Sequence, residues 1–219
     1  MIDLHTHTLL SDGELLPSEL VRRAEAAGYE AIALTDHVDS SNMDFVLPRL
    51  VRVSRDLNRY WKIRVIPGVE ITHVPLEMIK PLVKKARMSG ARIVVVHGET
   101  VSEPVIPGTN RRAIESRCDI LAHPGLISRA DAELAAKLGV YLELTARRGH
   151  SAANKHVFKI AKKAGAELVL NTDSHAPGDV ITDVKAVDFL RKTVGLDKSE
   201  ISRIYANMHM LSKKALSGG

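Results

Sequence analysis

Seven short apolar runs recur along this chain of 219 residues, each followed by a longer stretch of helical character, and that alternation leaves few folds open. The runs are Ile2–His5, Ala31–Thr35, Ile63–Ile66, Arg92–Val96, Asp119–Ala122, Val140–Leu144 and Leu168–Asn171. Most are rich in Val, Ile and Leu with little polar alternation, as parallel strands covered on both faces require. Between them, Pro17–Ala27, Phe45–Tyr60, Leu76–Ser89, Ala130–Leu138 and Ala152–Ala164 read as helices, and Gly28, Gly90, Gly139 and Gly165 supply stop signals. Lys198–Leu216 reads as a closing helix. Repeated βα order predicts an α/β fold built on a parallel sheet, in one domain over residues 1–219 because no long linker divides the chain. Pro67 should not lie inside a central strand, so the third strand is expected to end or bulge at Pro67–Gly68. The sheet is either open or closed into a barrel. No G-x-G-x-x-G turn follows the first run, which argues against the dinucleotide-binding form of the open sheet.

The polar residues favour the barrel. Of ten histidines, His5, His7, His37, His97, His123 and His175 fall at or just after the ends of strand runs. Glu70 follows the third run, Asp173 the last, and Asp12 lies in the first loop. In a parallel barrel the C-terminal strand ends converge on one mouth. A single strand-end histidine is ordinarily a hydrogen-bonded structural residue, and Asp36 and Asp39 beside His37 could merely solvate a loop. The whole set is different. Clustered carboxylates repel and buried imidazoles are desolvated, and divalent cations resolve both costs. His5 and His7, two apart on a strand, also present their rings on one side.

Taken in order, H-x-H (His5, His7), S-D-G (Ser11 to Gly13), T-D-H (Thr35 to His37), P-G-x-E (Pro67 to Glu70), V-H-G (Val96 to Gly98), A-H-P (Ala122 to Pro124) and D-S-H (Asp173 to His175) resemble the motifs of the PHP (polymerase and histidinol phosphatase) family. The resemblance spans Met1 to about His175. It implies a distorted seven-stranded (β/α)7 barrel, TIM-like, holding two or three divalent ions, usually zinc, manganese or iron. It implies one ion on His5, His7, Glu70 and Asp173, a second on Glu70, His97 and His123, and a third on Asp12, His37 and His175. Many members carry a histidine where Asp12 stands. Glu70, Asp173 and His175 are expected at the catalytic centre.

The expected activity is metal-dependent hydrolysis of a phosphate ester, through a hydroxide bridging two ions, as in histidinol-phosphate phosphatases. Other members of the family are nucleotide phosphatases or 3'–5' exonucleases. Amidohydrolases also begin with H-x-H, but Glu70 and His175 set this chain apart from them, and a non-catalytic barrel module should have lost ligands. A small phosphorylated substrate is favoured over nucleic acid. The net charge of +5 suits anions, but aromatics make up only 4% and form no stacking platform. Two loops are candidate substrate contacts: Gly98–Asn110, leading into Arg111 and Arg112 at a helix start, and Arg147–Arg148–Gly149–His150. Asp36 and Glu99 are expected to orient ligands, and His73, His156 and His209 to be structural or on the surface. A lone cysteine, Cys118, and a start without a basic-then-apolar leader give the expectation of a cytoplasmic protein without membrane contact.

Overall fold

All seven expected strands form, and six end within two residues of their expected bounds. The computed structural model describes residues 1–217, so residues 218 and 219 of the expected domain lie outside the described part. In chain order the elements are β1 (Ile2–Asp3), α1 (Pro17–Ala26), β2 (Ala31–Leu34), β3 (His37–Val38), α2 (Met43–Tyr60), β4 (Arg64–Ile71), α3 (Leu76–Met88) and β5 (Ile93–His97). There follow α4 (Thr109–Glu115), β6 (Ile120–Ala122), α5 (Arg129–Leu138), β7 (Tyr141–Thr145), α6 (Asn154–Ala164), β8 (Leu168–Asn171), α7 (Asp183–Phe189) and α8 (Lys198–Ser217).

All pairings are parallel, in the order β1-β2-β4-β5-β6-β7-β8. β2 and β3 are two pieces of one stave: β2 pairs with residues 64–67 of β4 and β3 with residues 70–71. Beyond β8 the backbone closes the barrel. Asp173 N donates to His5 O at 3.0 Å and His7 N to Ser174 O at 2.9 Å, so the first and last strands meet at their C-terminal ends. The fold is thus a nearly closed TIM-like barrel of seven staves, as the pattern predicted.

The third strand departs from expectation. β4 runs straight through Pro67, which pairs with Leu34, and continues to Ile71. Two local facts make this tolerable. The Pro67 carbonyl accepts from Arg92 N, so the amide it lacks faces β5, where pairing begins only at Gly68. Val65 lies on that same side, and there the Asn58 side chain takes both its N–H and its C=O. The next position must be glycine for another reason: a Cβ on Gly68 would lie 2.6 Å from Ile93 O and 2.8 Å from Thr35 Cγ2. The continuation matters for the site, because it carries Glu70 inside the barrel mouth.

Outside the sheet, α2 buries Met43, Val46, Leu47 and Leu50 at three- and four-residue spacing against the strands. Each large aliphatic side chain so buried contributes about 1.5–3 kcal/mol. α5 starts at Ser128, whose hydroxyl accepts from Asp131 N, and stops at Gly139 in the left-handed region. Among the described residues no helix is long and apolar enough to cross a membrane.

Candidate metal centre

The geometry starts from the stretch after β1. His5, Thr6 and His7 are held between the ends of β2 and β8, with Thr6 O accepting from Thr35 N and Thr6 bridged to Ser174. Both histidine rings turn inward and are buried. His5 Nδ1 donates to Glu143 Oε1 at 2.8 Å, which turns its Nε2 toward the barrel axis. His7 Nε2 lies 3.0 Å from His5 Nε2, 3.5 Å from Glu70 Oε2 and 3.2 Å from Asp173 Oδ1. His5 Nε2 is 3.3 Å from Glu70 Oε2.

Ligand atoms sharing one tetrahedral ion at about 2.1 Å each lie roughly 3.4 Å apart, so these separations fit a common cation. The hydrogen-bond inventory agrees. Glu70 is fully buried and neither oxygen receives a properly directed hydrogen bond, although His37 Nδ1 is 2.8 Å from Oε2. His7 Nδ1 and His123 Nδ1 are likewise buried without partners. Orphaned polar atoms of this kind are costly in a folded protein unless something binds them.

Around this centre the other candidate ligands form further groups. His97 closes β5, with Nδ1 donating to Gly98 O at 3.1 Å. His123 follows β6, its backbone N donating to Glu143 Oε2 at 3.0 Å and its Nε2 3.7 Å from Glu70 Oε1. Glu70, His97 and His123 form one candidate ligand group, and His5, His7 and Glu70 another. His5, His123 and Asp173 also converge. A third group gathers His7, Asp12, His37 and His175 within 4.8 Å, so His7 faces both this set and the inner one. Asp12 is carried on a tight loop in which a Cβ at Gly13 would lie 2.5 Å from His7 O. His123 and Asp173 both sit at positive φ (26° and 52°), a strained conformation of the kind that clusters at binding sites.

Electrostatics divides the cluster. Burial, reinforced by neighbouring imidazoles, holds His7 and His123 well below the usual histidine range, so both are neutral donors. Burial works against His5 too, but the carboxylates of Glu70, Glu143 and Asp173 hold it well above. Burial opposes ionisation of Glu70, yet His5 and His37 keep it well below the carboxylate range. Burial pushes Asp173 up to about 7. His7, His123 and Glu70 thus stand in the protonation state that a divalent ion requires, whereas His5 and Asp173 would each give up a proton on binding one.

A cavity of about 440 Å³ opens over the cluster, lined by Asp12, His37, His97, Arg147, His150 and His175 among others. A neighbouring one of about 650 Å³ shares Arg147 and His175 and adds Arg148. Arg147 Nη1 donates to Asp173 O at 3.1 Å. His150 is buried, stacked on His123 with ring centroids 4.3 Å apart.

Other expected contacts are not brought together. Arg111 pairs with Asp131 at 2.7 Å and Arg112 with Glu115, and neither lines the cavity. The start of α4 is not an anion cradle either, because Glu99 Oε1 already accepts from Gly108 N and Asn110 N. Glu99 therefore caps a helix instead of orienting a ligand. Asp36 accepts from Thr8 and Ser11 and ties down the first loop. Three residues at the mouth were not foreseen. Glu143 bridges His5 and the His123 backbone. His73, expected to be structural or on the surface, lines the cavity, and so does Glu103. Of these only Glu143 has a sequence signal, a lone carboxylate inside the apolar run Val140–Leu144.

Three comparisons bear on this arrangement. The family profile described as PHP domain matches residues 3–179. An uncharacterised protein of Methanocaldococcus jannaschii is 48% identical over 196 residues, covering 89% of this chain and 88% of its own length. A Shewanella frigidimarina protein described as a probable phosphatase is 28% identical, with 89% and 85% covered. Among solved structures, a Listeria monocytogenes protein assigned as a histidinol phosphatase superposes with a TM-score of 0.61 at 11% identity, over 82% of this chain and 97% of that one.

Proposed function

This chain belongs to the PHP domain family, and from that premise we propose that it is a metal-dependent hydrolase of phosphate esters acting on a small phosphorylated substrate. The observation that carries the reading is the pair of imidazole nitrogens, His5 Nε2 and His7 Nε2, 3.0 Å apart beside the buried carboxylates of Glu70 and Asp173. Donors so placed fit cations. In this reading His5, His7, Glu70 and Asp173 hold one ion, Glu70 with His97 and His123 a second, and Asp12, His37 and His175 a third. Mixed nitrogen and oxygen donors suit zinc, manganese or iron. The third set is the weakest, because the Asp12 side chain is 54% exposed.

Bound divalent ions supply Lewis acidity toward phosphate oxygens and lower the pKa of water. The chain's own groups do the rest. Glu143 fixes the tautomer of His5, and Gly98 O that of His97, so in each Nε2 is the nitrogen left to hold an ion. Arg147, anchored on Asp173 O, extends a guanidinium along the cavity wall where a phosphate would sit. His150, stacked on His123, faces the remainder of the substrate. A cavity of about 440 Å³ suits a small molecule.

The test is hydrolysis of histidinol phosphate, mononucleotides, single-stranded oligonucleotide and an amide panel by metal-loaded protein, before and after chelation. Chelator-sensitive release of phosphate from a small ester is expected. Amide cleavage without phosphatase activity would replace this reading with an amidohydrolase one. Glu70→Gln should lower metal content and reduce turnover by on the order of 10²–10³-fold, the scale of losing one group that stabilises the transition state.

A further inference from the structure

One group of potential ligands is not among the sets assigned above, although it shares His97 with them. His73 Nε2 is 2.9 Å from Glu103 Oε2, and His97 Nε2 is 3.2 Å from the same oxygen. The three donor atoms fall within 4.8 Å of one another at the lip of the cavity. They come from two connections. His73 follows β4 at φ 52°, in the left-handed region that non-glycine residues rarely adopt, and Glu103 lies in the loop after β5. That loop is pinned across the mouth: Thr100 Oγ1 and Ser102 Oγ both contact His150 Nδ1, at 2.6 and 2.9 Å. The Glu103 carboxylate is therefore presented to the two histidines by a braced segment. The side chains of His73 and Glu103 are 40% and 36% exposed, so the fourth side is open to water.

We infer that His73, His97 and Glu103 form an outer site for a divalent transition-metal ion, and that it draws on the same nitrogen of His97 that the inner set needs. Two imidazoles and one carboxylate with an open position make a three-ligand site of the kind zinc accepts. The conflict follows from one hydrogen bond. His97 Nδ1 donates to Gly98 O, so only Nε2 carries a free lone pair, and one lone pair binds one ion. The inner group offers the buried charge of Glu70 and fills first. The outer site fills when metal is in excess, and its ion pulls His97 away from Glu70 and His123. Excess zinc should then inhibit the enzyme.

The inference rests on the reading that the inner cluster holds ions only for this competition, and the experiment separates the two. Metal-stripped protein is titrated with zinc under equilibrium dialysis, as wild type, His73→Ala and Glu103→Gln, with circular dichroism confirming the fold. Wild type should take up the inner ions, the one on the Asp12 set last among them, and then one further, weaker equivalent per chain. Both variants should keep the tight ions and bind the weaker one at least roughly 10-fold less well, the loss seen even when only a partner of a ligand is removed. Inhibition by excess zinc should weaken in parallel. Equal uptake in all three proteins overturns the outer site, as does loss of the tight ions from both folded variants. A weak equivalent that depends on His73 and Glu103, with no tight ions beneath it, would sustain the outer site and overturn the inner-cluster reading.

Discussion

Glu143 shows how far the arrangement of the cluster depends on a side chain standing behind it. One oxygen takes the His5 ring proton and the other the His123 backbone N–H, and Asn171 donates to the carboxylate as well. Glu143→Gln keeps the shape but removes the charge that fixes the His5 tautomer. Metal affinity should fall by about 10–100-fold while the fold persists, measured by competition with a chromogenic chelator. An unchanged affinity would make Glu143 a packing residue. The arginines divide in the same way. Arg147→Ala should raise KM with metal content intact, because the side chain lines the cavity, whereas Arg111→Ala should leave kinetics and metal unchanged, because its partner is Asp131. An Arg111 variant with raised KM would return α4 to the binding surface.

At the level of elements, the loop between β5 and α4 illustrates a capping device supplied from outside the helix. Glu99 Oε1 accepts from Gly108 N and Asn110 N, and the Asn110 side chain returns a bond to Pro124 O. Glu99→Ala should destabilise the protein by about 1 kcal/mol, as loss of a helix cap does, without changing metal content. A urea midpoint equal to wild type would show that water replaces the cap. This element also marks where sequence reasoning stopped. Helix starts, strand runs and the order of polar strand ends are local patterns, so the βα repeat and the gathering of histidines at one barrel mouth were legible in the sequence. An anion cradle at Arg111 and Arg112 was not excluded by local pattern, because the group that fills it, Glu99, reaches it only after the loop folds. Pro67 misled for the same kind of reason: whether a missing N–H matters depends on where β5 begins. Glu103 and His73 stood in loops whose path the sequence leaves open.

Across the whole molecule, closure depends on polar contacts as well as packing. Asp3 on β1 receives Thr172 Oγ1 at 2.6 Å and Thr172 N at 3.3 Å from the end of β8. Burial pushes its carboxyl up to about 6 against those bonds, from 3.8. The folded state therefore holds this proton more tightly than the unfolded chain does. Its contribution is fully present below about pH 4 and is lost as pH rises through 6, a change of about 3 kcal/mol at 1.36 kcal/mol per unit. Asp3→Asn removes that dependence, so in chelator the stability of wild type relative to the variant should fall between pH 4 and 6 and then level off. A difference that stays flat across that range would mean the carboxyl is ionised throughout. The same seam that Asp3 helps to close also places His5 and His7 against Asp173 and His175. The first and last staves both supply side chains to the cluster, so it is complete only near the end of synthesis, which proceeds from the N-terminus. A growing chain exposes His5 and His7 long before residue 173 is made. Through that interval Glu70, His97 and His123 can gather around the first histidines, but Asp173 and His175 join them only with the last stave.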